Sequence, residues 1–256
     1  MKIIFWNIRA GGGKRATKIA AQLQQWQPDI VALAEFRGTP ASTELARQLA
    51  ENGFHHQLST IDTQKRATNA LLLASRYPLQ QFDLLGAPAE PQRWLMAQVQ
   101  YPKFSTESFM LGVMHVPNYV TKRKFPYHDA VLSLLQEWTL GPAFLVGDTN
   151  TGISYLDDVT GVFTKREMAW MTALDELAWR DAHRYLYGDE RVYTWYSPNA
   201  GNGFRLDQAF FNPQLLPYLQ NIEHQWGIDP ENSARRDGLS DHAALVMTLD
   251  ESQRIV

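Results

Sequence analysis

The feature that most limits the fold of this chain is a series of short apolar runs spread along its whole length. They are KIIFW (2–6), DIVALA (29–34), NALLLAS (69–75), WLMAQVQY (94–101), FMLGVM (109–114), AFLVG (143–147), FRLDQAFF (204–211) and HAALVMTL (242–249). Each has the length of a buried strand and falls far short of the ~20 residues a membrane span needs. Helical patterns stand between them. Residues 15–27 put Ile19, Leu23 and Trp26 on one face, and Pro28 stops the run. Residues 126–138 group Val131, Leu134, Leu135 and Trp138, with Pro126 near the start, and residues 165–178 group Met168, Met171, Leu174 and Leu177. A further helix is expected over 42–52. Strands mixed with helices imply α/β or α+β layers.

Composition narrows the function classes. The length of 256 residues allows one or two domains, and 45% hydrophobic with 20% charged residues is ordinary for a soluble globular protein. The net charge of −3 shows no bulk basic character, so any polyanion must be held by local patches. The absence of cysteine excludes disulfides, thiol catalysis and thiolate metal sites, and fits a reducing compartment. The opening MKIIFWNIRAGGG has too short an apolar stretch before Asn7 for a signal peptide, which needs roughly 7–15 residues. The expectation is a cytoplasmic protein with no membrane partner, its oligomeric state open and monomeric by default. No low-complexity segment, repeat or linker interrupts the chain.

What stands at the ends of the apolar runs carries the chemistry. The run 2–6 ends in Asn7 and 29–34 in Glu35. The run 109–114 ends in His115, and 143–147 in Asp148 with Asn150 just beyond. The run 204–211 holds Asp207 inside it, and 242–249 opens on Asp241 and His242. Taken singly, an Asn or Asp after a strand is usually a turn former, and a lone His is usually a satisfied surface or core residue. A carboxylate flanked by Leu206, Ala209 and Phe210 is harder to dismiss, because burying it is costly unless it is paired or metal-bound. Strand ends gathered at one sheet edge would form a cleft. Glu35, Asp241 and Asn7 are oxygen donors, which suit Mg²⁺ or Mn²⁺ rather than structural zinc. Asp148 can take a proton from water, His242 and His115 can donate to a phosphoryl oxygen, and Asp207 can orient an imidazole and raise its pKa. Such a set suits hydrolysis of a phosphoester.

WNIR (6–9), LAEF (33–36), HVPN (115–118), GDTN (147–150), RLDQ (205–208) and SDH (240–242) resemble, in order, the motifs of the endonuclease/exonuclease/phosphatase superfamily, the DNase I-like fold. The resemblance implies a single domain over 1–256, built as a four-layer α/β/β/α sandwich of two mixed β-sheets flanked by helices. It implies Glu35 as principal metal ligand, with Asn7 and Asp241 nearby. It implies Asp148 as the residue that handles the attacking water and Asn150 as its companion. His242 would contact the phosphate, held by Asp207 from a neighbouring strand, and His115 would stand beside the leaving oxygen. Arg9, Asn118 and Arg205, which lie within the same motifs, are expected at the substrate. The chain departs from the family pattern at Ala34, where Gln is frequent, and at Thr149, where Phe is frequent. At His115 the abasic-site repair branch commonly has tyrosine, which leans the chain towards the DNase-like, phosphodiesterase or phosphatase branches.

The substrate is less constrained. Basic clusters stand at Lys14-Arg15, Lys65-Arg66, Lys122-Arg123-Lys124 and Arg235-Arg236, any of which can be plain solvated charge. Lys122, Arg123 and Lys124 follow His115 closely and are expected at a phosphate backbone. Gly11-Gly12-Gly13 lacks Walker spacing and reads as a flexible turn. Trp195 and Tyr196 in YTWYSP are either core or a stacking platform for a base or sugar. The block from Trp195 to GFRLD looks nuclease-like. The reading is therefore a Mg²⁺- or Mn²⁺-dependent phosphoesterase, a nuclease acting on nucleic acid. The alternatives are a phosphatase or phosphodiesterase for an inositol lipid, sphingolipid or small molecule, and a catalytically inactive binding module.

Overall fold

The computed structural model describes residues 1–104, 107–250 and 252. Its strands are β1 (Lys2–Asn7), β2 (Ile30–Phe36), β3 (His56–Ser59), β4 (Ala70–Ser75), β5 (Leu79–Gln81), β6 (Trp94–Gln100), β7 (Ser108–His115), β8 (Ala143–Asp148), β9 (Arg180–Asp181), β10 (Trp195–Tyr196), β11 (Gly203–Phe204), β12 (Asp207–Phe211), β13 (Leu219–Gln225) and β14 (Ala244–Leu249). Its helices are α1 (Ala16–Trp26), α2 (Pro40–Glu51), α3 (Lys124–Gln136), α4 (Lys165–Glu176) and α5 (Ala182–Tyr187).

The strands form two six-stranded mixed sheets, ordered β13-β14-β1-β2-β4-β3 and β5-β6-β7-β8-β12-β9, and a small β10-β11 ribbon. In each large sheet the central pair is parallel, β1 with β2 and β7 with β8, and the flanking pairs are antiparallel. Side chains alternate across each strand. Ile3 and Phe5 therefore face Val113, Phe144 and Phe211 in the core between the sheets. Ile4 and Trp6 face outward and are covered by Ile19 and Leu23 of α1 and Leu45 and Leu49 of α2. On the second sheet Met110 and Leu145 are covered by Val131 of α3 and Trp170 and Leu174 of α4. Central strands covered on both faces need apolar residues at every position, which is why they read as continuous runs. Burying each large side chain contributes roughly 1.5–3 kcal/mol. The result is an α/β sandwich of two mixed sheets flanked by helices, as the motifs implied.

The differences from the sequence reading lie at the ends. Asp207 is the first residue of β12, paired with Asp148, and not a residue within a longer strand. Glu35 lies inside β2 at a register shift rather than beyond its end. The polar edge strands β3, β5 and β13 and the two-residue strands lacked the apolar signal that marked the others.

Candidate active site

Strand direction assembles the site. The parallel pairs β1–β2 and β7–β8 end at the same rim, which delivers Asn7, Glu35, His115 and Asp148. Antiparallel partners begin where these strands end. β12 therefore starts at Asp207 opposite Asp148, and β14 starts just after Asp241 and His242. The same rule brings Asn69, before β4, and Arg93, before β6, to that rim. The cleft they line has a volume of about 420 Å³.

At its floor Asn7 Nδ2 donates to Asp148 Oδ2 at 2.9 Å. The Asn150 amide donates to Asp148 Oδ1 at 3.1 Å. His242 Nδ1 lies 2.9 Å from Asp207 Oδ2, which leaves Nε2 facing Asp148 Oδ2 at 4.0 Å. Asp207 and His242 come from opposite sheets, not from adjacent strands of one sheet. His115 Nε2 stands 3.7 Å from the same Asp148 oxygen, beyond hydrogen-bond range. All of these side chains except Asn150 are buried, so charge among them is little screened.

The electrostatics divide the two histidines. Burial opposes charge on His242, but Asp207 beside it, with Asp148 and Asp241, overrides burial and raises its pKa well above the usual histidine range. His115 has no hydrogen-bonded acid among the described residues; burial, then Arg93 and His242, hold its pKa well below that range. Burial raises the Asp148 carboxyl, against the pull of His242. One imidazolium, one neutral imidazole and one carboxyl of raised pKa therefore surround a single point.

Beside this floor lies a set of oxygen donors. Glu35 adopts a left-handed φ of 57° at its bulge, and the Ala10 amide donates to its Oε2 at 2.7 Å. The glycine run makes that approach possible. Gly11 has φ 72° and donates to the Glu35 carbonyl, and a Cβ there would stand 2.7 Å from Ser42 Oγ. It is a turn closed by the Gly12 amide on the Arg9 carbonyl. Asp241 receives the Trp195 indole N–H on Oδ2 at 3.3 Å, while its Oδ1 is buried with no hydrogen-bond partner among the described residues. Asn7 Oδ1 accepts from the Arg9 amide. An orphaned carboxylate oxygen in the cleft that Glu35 also lines fits a hard divalent cation. A second grouping, Asp148, Asp207 and His242, brings three possible ligand atoms within 4.8 Å of one another. There Asp207 Oδ2 is taken by His242, while Asp207 Oδ1 is buried without a hydrogen-bond partner among the described residues.

The remaining expected residues separate. Arg9 lies at the rim with Nε 4.0 Å from Asp241, and Asn118 and Trp195 line the cleft. Lys122 is exposed and forms no ion pair among the described residues. Arg123 is instead tied to Glu90 at 2.7 Å. Arg205 is a correction: it is buried and held by Asp157 at 2.7 Å and Asp181 at 2.6 Å, because its side chain points away from the cleft that Leu206 lines. Lys124 is a second correction, buried with its ammonium on Glu167 and the Asn150 carbonyl. Arg93 went unforeseen. It lines the cleft and donates to the His115 carbonyl at 3.3 Å, and only the direction of β6 would have disclosed it.

A family model described as the endonuclease/exonuclease/phosphatase family matches residues 4–242. The chain belongs to that family. Its members are phosphoric ester hydrolases. No curated protein matches the sequence. Among solved structures, the 3′-5′ exonuclease of Neisseria meningitidis aligns with a TM-score of 0.79 at 22% identity, covering 98% of this chain and 100% of that one. A Neisseria 3′ phosphatase bound to a product DNA hairpin aligns with a TM-score of 0.79 at 21% identity, covering 98% and 99%. An AP endonuclease from Archaeoglobus fulgidus aligns with a TM-score of 0.75 at 20% identity, covering 98% and 99%. At these identities the likeness is one of fold.

Proposed function

We propose that this chain is a Mg²⁺- or Mn²⁺-dependent nuclease that hydrolyses phosphoester bonds in nucleic acid. The observation that carries the reading is the meeting of Asn7, His115, Asp148 and the Asp207–His242 pair, drawn from both sheets, beside the unsatisfied Asp241 oxygen. Nucleic acid is favoured by cations at the edge of that cleft. Lys122 follows it, and Lys65 and Arg66 sit in the loop that ends at Asn69; none of the three forms an ion pair among the described residues. Trp195 offers a ring on the cleft wall. The fold is shared with a 3′ phosphatase solved on a DNA hairpin, which supports a 3′-phosphatase activity as the second reading.

In this reading Glu35, Asp241 and Asn7 would hold the cation, which would supply Lewis-acid polarisation of the phosphoryl group. Asp148, steadied by Asn7 and the Asn150 amide, orients the attacking water and takes its proton. The water oxygen bonds to phosphorus as the bond to the leaving oxygen breaks. His242, kept cationic by Asp207, donates from Nε2 to the phosphoryl oxygen that gains charge. His115 stands on the leaving-oxygen side, and Arg9, Arg93, Asn118 and Lys122 contact flanking phosphates. The whole chain acts as one cytoplasmic domain, a reading supported by the core both sheets share and by the absence of cysteine. No helix among the described residues is long and apolar enough to cross a membrane.

The test is a panel with Mg²⁺ and Mn²⁺: single-stranded and duplex DNA, DNA ending in a 3′-phosphate, abasic DNA, RNA and an inositol phosphate. Cleavage of a nucleic acid, abolished in Asp148→Asn, is expected. Hydrolysis of the inositol phosphate with every nucleic acid untouched would overturn the reading.

A further inference from the structure

Lys124 and Glu167 form an ion pair in which both side chains are almost fully buried. A buried pair is weak evidence for stability, since an apolar pair of the same volume often does as well. This one connects to something. The Lys124 ammonium also donates to the carbonyl of Asn150, the residue whose amide holds Asp148 Oδ1. Glu167 is fixed in turn by the N-terminal cap of α4, where its Oε2 accepts from the Thr164 amide at 2.7 Å and the Thr164 hydroxyl accepts from its own amide.

A second contact runs parallel to the first. His128 lies one turn after Lys124 on α3, and its Nε2 stands 3.1 Å from the hydroxyl of Thr151, the residue after Asn150. His128 is stacked on Trp170 of α4, with ring centroids 4.3 Å apart and planes 14° from parallel. Lys124 and His128 are spaced i, i+4 and Glu167 and Trp170 i, i+3, so each pair lies on one helix face. Two adjacent helices thus grip two consecutive residues of the loop. Asn150 needs such a grip. It holds a left-handed φ of 47°, a conformation that non-glycine residues adopt at a cost, and that φ sets the angle between the carbonyl that Lys124 grips and the N–H aimed at Asp148.

We infer that Lys124, braced by Glu167, is a positioning residue: by holding the Asn150 carbonyl it fixes the backbone on one side of the Asn150 Cα, and so the direction of the Asn150 N–H, on the other side, that orients Asp148. It does not touch substrate, and it acts on the rate rather than on binding. The inference rests on the reading of Asp148 given above.

The experiment is the double variant Lys124→Met with Glu167→Gln. It removes both buried charges together and keeps an amide oxygen for the Thr164 amide, so that neither partner is left as a lone buried ion. Two measurements are made on wild type and variant: hydrogen exchange at the Asn150 amide, and kcat and KM on whichever DNA of the panel the wild type cleaves best in Mg²⁺. The expected result is exchange at Asn150 faster by at least about tenfold with β8 protection kept, and kcat lower by on the order of 10–100-fold with KM within about twofold. Unchanged Asn150 exchange in the folded variant overturns the inference, and so does an unchanged kcat. If the wild type cleaves none of the panel, the functional reading has failed and Asn150 exchange alone decides the brace. If that double variant does not fold, Lys124→Leu with Glu167→Gln, which likewise leaves no lone buried ion, decides by the same two measurements.

Discussion

His242 Nδ1 and Asp207 Oδ2 meet at 2.9 Å across the two sheets of the sandwich. Because one residue precedes β14 and the other opens β12, their bond depends on how the sheets are stacked. A charged histidine at the rim therefore reports that the core below is correctly closed.

The first prediction concerns that charge. Against the opposing effect of burial, Asp207 raises the pKa of His242, which is pushed up to about 10. Asp207→Asn keeps the shape and removes the charge, so the imidazolium should lose its proton at a lower pH. The alkaline limb of the pH–rate profile moves to lower pH and turnover falls. A histidine NMR titration follows the same shift without substrate. The linkage sign agrees: a folded pKa above the unfolded value near 6.5 stabilises fully below about pH 6.5, and that stability is lost as pH rises towards 10. An unchanged profile and titration in Asp207→Asn would remove the pair from the mechanism.

The second concerns the cation. Asp241 Oδ1 is buried without a hydrogen-bond partner among the described residues, in the cleft that Glu35 also lines. A cation bound there should raise Tm, by the equivalent of roughly 2.7 kcal/mol at a hundred times its Kd. EDTA should abolish both the shift and turnover. Glu35→Gln should shrink the Mg²⁺-induced shift while leaving the metal-free Tm near wild type. Full activity in excess EDTA, or the same shift in Glu35→Gln, would move the metal elsewhere, with Asp148, Asp207 and His242 the next place to look.

Much of this site is legible in the amino-acid sequence, and for a definite reason. Central strands are buried on both faces, so their apolar runs stand out, and a polar residue closing such a run is conspicuous. Asn7, Glu35, His115 and Asp148 close such runs, His242 opens one and Asp207 interrupts one. What a sequence does not display is strand direction. Arg93 and Asn69 precede antiparallel strands and reach the cleft by the same rule as His242, yet neither residue type is unusual before a strand. Arg205 shows the complementary failure. Nothing in RLDQ tells which way a residue between β11 and β12 points, and here Arg205 turns to Asp157 and Asp181 while Leu206 takes the cleft side. Lys124 follows two exposed cations in the chain, but as the first residue of α3 it turns inward.

The third prediction is a pH dependence of stability. Burial, then Lys124 and Arg166, bring the pKa of His128 down to about 3 from an ordinary value near 6.5. The unfolded chain therefore binds a proton that the folded chain refuses between those values, and stability falls as pH drops from about 6.5 towards 3. His128→Gln keeps a side chain able to bond Thr151 but does not titrate. Its stability at neutral pH should be lower, because the stacking on Trp170 is gone, and its slope with pH in that window should be shallower by up to one proton. Urea unfolding at a series of pH values measures it. An identical slope would mean that His128 is protonated in the fold.

The last prediction separates basic residues that the sequence offered as equals. Arg205 is enclosed with Asp157 and Asp181, whereas Lys122, Lys65 and Arg66 are exposed at the cleft edge without ion pairs among the described residues. Arg205→Met leaves the fully buried Asp157 with Arg184 as its remaining cation and Asp181 with backbone donors alone, and should cost about 3 kcal/mol of stability. Replacing Lys122, Lys65 and Arg66 by Ala should leave stability within about 0.5 kcal/mol, as surface substitutions do. The effects on DNA binding reverse. Removing one cation that neutralises a phosphate lowers the slope of log K against log salt by about 0.9 on a duplex, so the triple variant should flatten the salt dependence by up to roughly 3. Arg205→Met, where it still folds, should leave that slope as it is. Binding titrations at several salt concentrations decide the matter. A flattened slope in Arg205→Met with none in the triple variant would put the nucleic acid on a different face of the molecule.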